Sequence, residues 1–161
     1  DYFAKNKVIL SDQISSEISS KALIGVEIQN PRACAALSSI VKNADFVLFQ
    51  TTELTEATFS CSQSYAEKTF LKDYLQKKIL KQNPFETLDV NSVGELMKLG
   101  VSEAKSAKND ISIAVAGELC ADPKSIAFFY SIGANCITCP STIVPIARLC
   151  SAQAVINSQK S

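Results

Sequence analysis

Phe46-Val47-Leu48-Phe49 is the stretch whose reading decides the fold. Four consecutive apolar residues without polar alternation suit a short strand covered on both faces, and such strands belong to parallel sheets flanked by helices. The signature recurs to either side. Leu23-Ile24-Gly25-Val26-Glu27-Ile28 reads as a strand, closed by Gln29-Asn30-Pro31. Ile111-Ser112-Ile113-Ala114-Val115-Ala116 reads as another, with Gly117 opening the loop after it, and Asn135-Cys136-Ile137-Thr138 as a fourth. Strands are thus expected near residues 23–28, 46–49, 111–115 and 135–138.

The intervening segments carry helical spacing. Ala33 to Val41 is rich in small residues, which suits close packing on a sheet. Ala66, Phe70, Tyr74 and Leu71, Leu75, Ile79 keep i, i+4 spacing up to the break at Asn83-Pro84-Phe85. Val93, Leu96, Met97, Gly100, Val101 and Ala104 form one apolar face, with Asn91 or Ser92 expected at the N-cap. Asp122 and Pro123 suit the N-cap and first turn of a helix that runs to Ile132, and Gly133 suits its C-terminal stop. Ile143, Ile146, Ala147, Cys150 and Ala154 mark a last helix, with Pro145 in its first turn and Ser141 or Thr142 expected as its cap. Short apolar strands alternating with helices define an α/β fold. Four βα units are half of an eight-fold barrel or a small doubly wound sheet. In either, chemistry collects where the strands end.

Composition narrows the function. The chain has 161 residues, 47% hydrophobic and 20% charged, with 16 basic against 16 acidic side chains. This is globular composition for one domain or part of a larger one. Zero net charge argues against a nucleic-acid partner, and no apolar run approaches the ~20 residues of a membrane span. With no histidine in the chain, His-based triads, His general bases and His-ligated zinc are excluded from it. The six cysteines sit in apolar runs and read as small buried hydrophobes of a reducing, intracellular compartment. Cys136-Ile137-Thr138-Cys139 has CxxC spacing but no second pair, and Cys136 reads as the end of a strand. The first residue is Asp1, so the chain is expected to be processed or part of a longer one. Residues 1–22, with a candidate strand at Asn6 to Leu10, form a lead-in segment, and residues 23–161 the domain proper.

Four strand-end loops are singled out: Gln29-Asn30, Gln50 to Glu53, Gly117 to Asp122, and Cys139 to Thr142. Glu53 is the only acid of its loop and an oxygen ligand for a hard cation, against the plainer reading of a solvated glutamate. Glu118 carries the same two readings. Cys139, mostly protonated near neutral pH, could donate a proton, against the plainer reading of a buried thiol. Arg32 and Arg148 are the only arginines, with structural ion pairing as their default. The five glycines are isolated, so there is no Gly-rich phosphate loop.

Pro145-Ile-Ala-Arg-Leu149 with Ala152-Gln-Ala154, Asn83-Pro-Phe-Glu-Thr-Leu-Asp89, Ala66-Glu-Lys-Thr-Phe-Leu71, and Gly117-Glu118 followed by Asp122-Pro-Lys-Ser125 resemble the pyruvate, phosphate dikinase family. The resemblance runs from about Leu23 to Ala154. It implies the second half of a (β/α)8 barrel of the TIM type, four βα units with parallel strands. In the family this barrel transfers a phosphoryl group between pyruvate and a phosphohistidine carried on a separate domain.

The resemblance also implies site residues. Cys139 stands where the family has the cysteine that protonates the enolate. Glu53 stands for a Mg²⁺-binding aspartate and Gln29 for a Mg²⁺-binding glutamate. Thr52 replaces a substrate-contacting asparagine, and Thr51 beside it would also touch substrate. Gln50 replaces a glycine. Leu119, Cys120 and Ala121 replace a His-Gly-Gly turn, and Thr142 and Ile143 replace a Phe-Arg pair. These departures lose metal charge, loop freedom and an arginine while the packing motifs survive. The expectation is a degenerate, non-catalytic domain serving as a structural or interaction component. It needs no cofactor, or Mg²⁺ only if the family site survives. A protein partner or the missing half-barrel closes the fold, partly through apolar loop positions such as Leu119 and Ile143. The alternative is a divergent active domain that binds pyruvate and phosphoenolpyruvate. Neither nucleic acid nor membrane is expected as a partner.

Overall fold

The computed structural model describes residues 23–159. The expected lead-in and the candidate strand at Asn6 to Leu10 lie outside the described residues.

Four strands form one parallel sheet in the order β1 (Gly25–Ile28), β2 (Phe46–Gln50), β3 (Ser112–Ala116) and β4 (Cys136–Thr138). Sequential order is what a barrel requires, whereas a doubly wound sheet reverses its strand order at a switch point. The side-chain alternation gives the same answer. Val26, Ile28, Val47, Phe49, Ile113 and Val115 point to one face and join the main core with residues of the described helices. Inward positions such as Phe46 and Leu48 stay only half-buried. The expectation that Phe46 to Phe49 is covered on both faces is therefore corrected: every helix contributing to this core lies on one side. The fold is half of a TIM-type barrel seen without its other half, and β1 and β4 are the sheet edges among the described residues.

The helices follow local signals where these exist. After β1 come α1 (Pro31–Ala35) and α2 (Leu37–Ile40), then a 3-10 turn. The single helix expected over 33–41 breaks at Ala36. Its carbonyl there receives both the backbone N–H and the hydroxyl of Ser39, a local bond that competes with the helical ladder. After β2 comes α3 (Thr51–Phe59), where only a loop was expected. Its buried face is Thr51, Leu54 and Thr55, so two of its three inward positions are threonines and the apolar periodicity is faint. The segment expected as one helix is α4 (Gln63–Thr69) and α5 (Leu71–Gln76). They pack a satellite core of Ala66, Leu71 and Phe85.

The helix α6 (Glu95–Ala107) is preceded by a π turn over Val90–Gly94, capped by Asp89. Its carboxylate accepts from the Asn91 N–H and the Ser92 hydroxyl, so the cap falls two or three residues earlier than the expected Asn91 or Ser92. Gly100 brings α6 close to β2, since a Cβ there would press on the Phe49 ring. The helix α7 (Pro123–Ser131) starts and stops as its sequence demands. Asp122 caps it through the Ser125 N–H at 2.8 Å, and Gly133 follows at φ +88°. The helix α8 (Val144–Ser158) carries Pro145 in its first turn but has no side-chain cap. The expected caps Ser141 and Thr142 are exposed, and the backbone turn from Pro140 to Ile143 takes their place.

Candidate functional site

The parallel sheet brings the ends of all four strands to one rim, as barrel geometry dictates. At β1, Gln29 is exposed at the strand end, and Asn30 caps α1 by accepting from the Ala33 N–H at 3.0 Å.

At β2 the chain passes directly into α3, so Gln50 to Glu53 is a strand end and a first helical turn. Thr51 is fully buried and donates its hydroxyl to the Ala116 carbonyl at 2.9 Å. That bond ties the top of β2 to the top of β3. Gly117 follows at φ +118°, and a Cβ there would strike the Thr51 hydroxyl. The Thr52 hydroxyl and the Gln50 side-chain Oε1 crowd the same point at 3.2 and 3.3 Å. Glu53 is half-buried in the first turn of α3, and its Oε2 is buried without a hydrogen-bond partner, as is Gln50 Oε1. The Gln50 amide nitrogen donates to the Glu27 carboxylate at 3.2 Å, a contact that sequence reading missed. Period-two alternation in β1 was the available signal, since it puts Glu27 on the face opposite Val26 and Ile28.

At β3 the loop folds into a 3-10 turn, Glu118–Ala121. Leu119 is 1% exposed and Cys120 is wholly buried, both in the main core. Leu119 therefore cannot belong to a partner surface, which corrects that expectation; Ile143 is half-buried. Burial, and then the neighbouring Cys139, pushes the Cys120 thiol up to about 12. Glu118 points to solvent.

At β4, Cys136 is exposed and is the first residue of the strand rather than its end. Cys139 lies just past the strand, half-buried against the main core and a smaller cluster of Ile126, Ala147 and Cys150. All six cysteines are free thiols. Cys139 also lines a cavity of about 540 Å³ between β4, α7 and α8, with Phe129, Tyr130, Val144 and Arg148 among its walls. Neither Gln29 nor Glu53 reaches it, so this cavity is not the strand-end site. Arg32 and Arg148 are exposed and make no ion pair among the described residues, against the expectation of structural pairing.

The described residues bring together no group of three or more acidic, cysteine or histidine side chains able to hold a metal. No described helix is long and apolar enough to cross a membrane.

A half-barrel with its polar residues gathered at the strand ends is the class that fold and rim define. The family model for the PEP-binding domain of PEP-utilising enzymes matches residues 4–156, and the chain belongs to that family. It is 41% identical over 138 residues to pyruvate, phosphate dikinase of Rhizobium meliloti, covering 86% of this chain and 15% of that protein. It is likewise 41% identical over 133 residues to pyruvate, phosphate dikinase 2 of Oryza sativa, 83% of this chain and 15% of the relative. It is 35% identical over 160 residues to the Clostridium symbiosum enzyme, 98% of this chain and 18% of the relative. The chain thus spans less than a fifth of the length of these relatives.

Proposed function

We propose that this dikinase-like PEP-binding domain has lost turnover and serves as a packing and assembly component. The observation that carries the reading is the loop after β3. The resemblance places a polar His-Gly-Gly turn there; in this chain Leu119 and Cys120 are sunk in the core. Leu119 has no polar side-chain atom, and the Cys120 thiol faces the Val115 carbonyl at 3.7 Å, so neither side chain offers a donor to a ligand. Thr51, a residue of the family's substrate loop, is likewise occupied, its hydroxyl spent on Ala116.

Mg²⁺ is the metal the resemblance implies, and the donor set does not fit a tight site. Glu53 is the one carboxylate at the matched positions, and Gln29 offers a neutral amide from an exposed position. Mg²⁺ gives up its waters reluctantly and needs charged oxygen ligands in near-octahedral order. Cys139 acts as a packing residue in this reading.

One observation favours the alternative, a divergent active domain. Glu53 Oε2 is buried and unpartnered, which leaves an acceptor available at the family's metal position. Exchange of pyruvate methyl protons with solvent deuterium, in the longest natural form with Mg²⁺ present, separates the two. No exchange is expected. Exchange that disappears in Cys139→Ala would establish the active domain.

A further inference from the structure

A groove of about 350 Å³ opens between the C-terminal end of α5 and the approach to α6, and it shares no residue with the four strand-end loops. Ile79, Leu80, Pro84, Leu88 and Val90 supply its apolar lining. Leu88 belongs to the main core between sheet and helices, so the groove lies on the helix-covered side of the molecule. Hydrogen bonds within the chain hold the lining in place. The Ile79 N–H donates to the Tyr74 carbonyl at 2.9 Å, and the Gln82 amide to the Leu88 carbonyl at 3.3 Å. Even so, Ile79 is 59% exposed and Val90 38%.

The approach to this groove is basic. From Lys68 to Lys81 the chain carries five lysines and one acid, Asp73. The whole chain balances at 16 and 16, so the sequence outside this segment has 11 basic against 15 acidic side chains. All five lysines are exposed, and none makes an ion pair among the described residues, where the pair formed is Lys98 with Glu95. Lys77 and Lys78 immediately precede Ile79, and Lys81 lines the groove itself. The acid in the lining, Asp89, is committed to the Asn91 N–H and the Ser92 hydroxyl.

We infer that this groove docks an acidic segment of a partner protein, with an aliphatic side chain seated against Ile79 and Val90 and flanking carboxylates on Lys77, Lys78 and Lys81. Three features choose that occupant. A small molecule needs convergent polar groups to orient it, and here the Gln82 amide nitrogen and the Asp89 carboxylate are already bonded within the chain. A nucleic acid needs aromatic platforms for its bases, and no aromatic side chain lines the groove. A bilayer is entered by protruding apolar side chains, whereas Pro84 and Leu88 are buried and Leu80 is half-buried. The docking role goes beyond the assembly role proposed above and stands whether or not turnover is retained.

The test is fluorescence anisotropy with the longest natural form of the protein and two labelled synthetic peptides. Both are runs of glutamate; one has Leu-Leu at its centre and the other Ala-Ala. The leucine peptide is expected to bind about tenfold tighter. Ile79→Ser with Val90→Ser is expected to abolish that preference. Lys77→Gln, Lys78→Gln and Lys81→Gln together are expected to weaken both peptides about tenfold and to flatten the salt dependence. All five side chains are exposed, so both variants keep the wild-type urea midpoint. Equal binding of the two peptides, no binding of either, or wild-type affinity in the lysine variant overturns the docking site. So does tighter binding of phosphatidylserine vesicles or of oligouridine that is lost in the lysine variant, which would assign the lysines to a membrane or to nucleic acid. Pyruvate proton exchange is measured on the same wild-type sample. Exchange together with leucine-selective binding would reject the loss of turnover and leave the groove standing.

Discussion

Gly117 sits at φ +118° with no room for a side chain between it and Thr51. Gly117→Ala combines backbone strain with a collision against a hydroxyl that is already hydrogen-bonded to Ala116. We expect a loss of about 1–3 kcal/mol in urea unfolding. Two buried thiols give a pH dependence of definite sign. Burial raises Cys34 from 9.0 to about 11 and Cys120 from 9.0 to about 12. The folded state therefore holds these protons more tightly than the unfolded one. Their contribution to stability is complete below pH 9 and is lost as pH rises through 11 and 12. The same protection makes both unreactive to iodoacetamide at pH 8, whereas exposed Cys136 alkylates first; mass mapping of the labelled thiols reads the order. At the rim, calorimetric titration of Mg²⁺ with oxalate present is expected to show no micromolar binding. Micromolar affinity abolished by Glu53→Gln would restore the metal site.

At the scale of elements, the start of α7 does more than begin a helix. Asp122 accepts from both the N–H and the hydroxyl of Ser125, and the Ser125 oxygen accepts from the Leu88 N–H at 3.0 Å. One carboxylate thus caps a helix and steers the hydroxyl that anchors a segment 37 residues away in sequence. Asp122→Ala is expected to cost about 1–2 kcal/mol of stability, measured by urea midpoint, and Asp122→Asn clearly less. Asp122-Pro123 and Gly133 made this helix readable from sequence, because caps act through residues within one turn. The helix α3 was unreadable for the opposite reason. Its inward face uses Thr51 and Thr55, and Thr51 becomes a core residue only when Ala116 arrives to take its hydroxyl. The rim positions Gln29, Thr52, Glu53 and Cys139 were nameable because strand ends define them. Their availability depends on what packs beside them.

The whole molecule presents one helix-covered face, one open sheet face and two strand edges among the described residues. The helix α8 adds a second apolar surface, with Ile146, Leu149 and Ile156 each more than half exposed. Such surfaces call for a partner. The 161-residue chain by itself is expected to sediment with concentration-dependent mass and to bind a hydrophobic dye. A monodisperse monomer with sharp two-state melting would contradict the assembly role. If a complementary half-sheet closes the barrel, dye binding should fall and melting should sharpen.

Four strands, their order along the chain, and helix signals at Asp122-Pro123 and Pro145 were determined by the sequence alone. Each depends on apolar runs, breakers and caps that act over a few residues. Tertiary structure decided that the helices cover one face of the sheet only, that Leu119 and Cys120 enter the core, and that Glu27 meets the Gln50 amide on the open face. The reason is that a side chain's surroundings are supplied by distant segments. Local spacing assigns Glu27 to a strand, but only the register of β1 on β2, β3 and β4 puts it in a row with Leu48, Ala114 and Cys136.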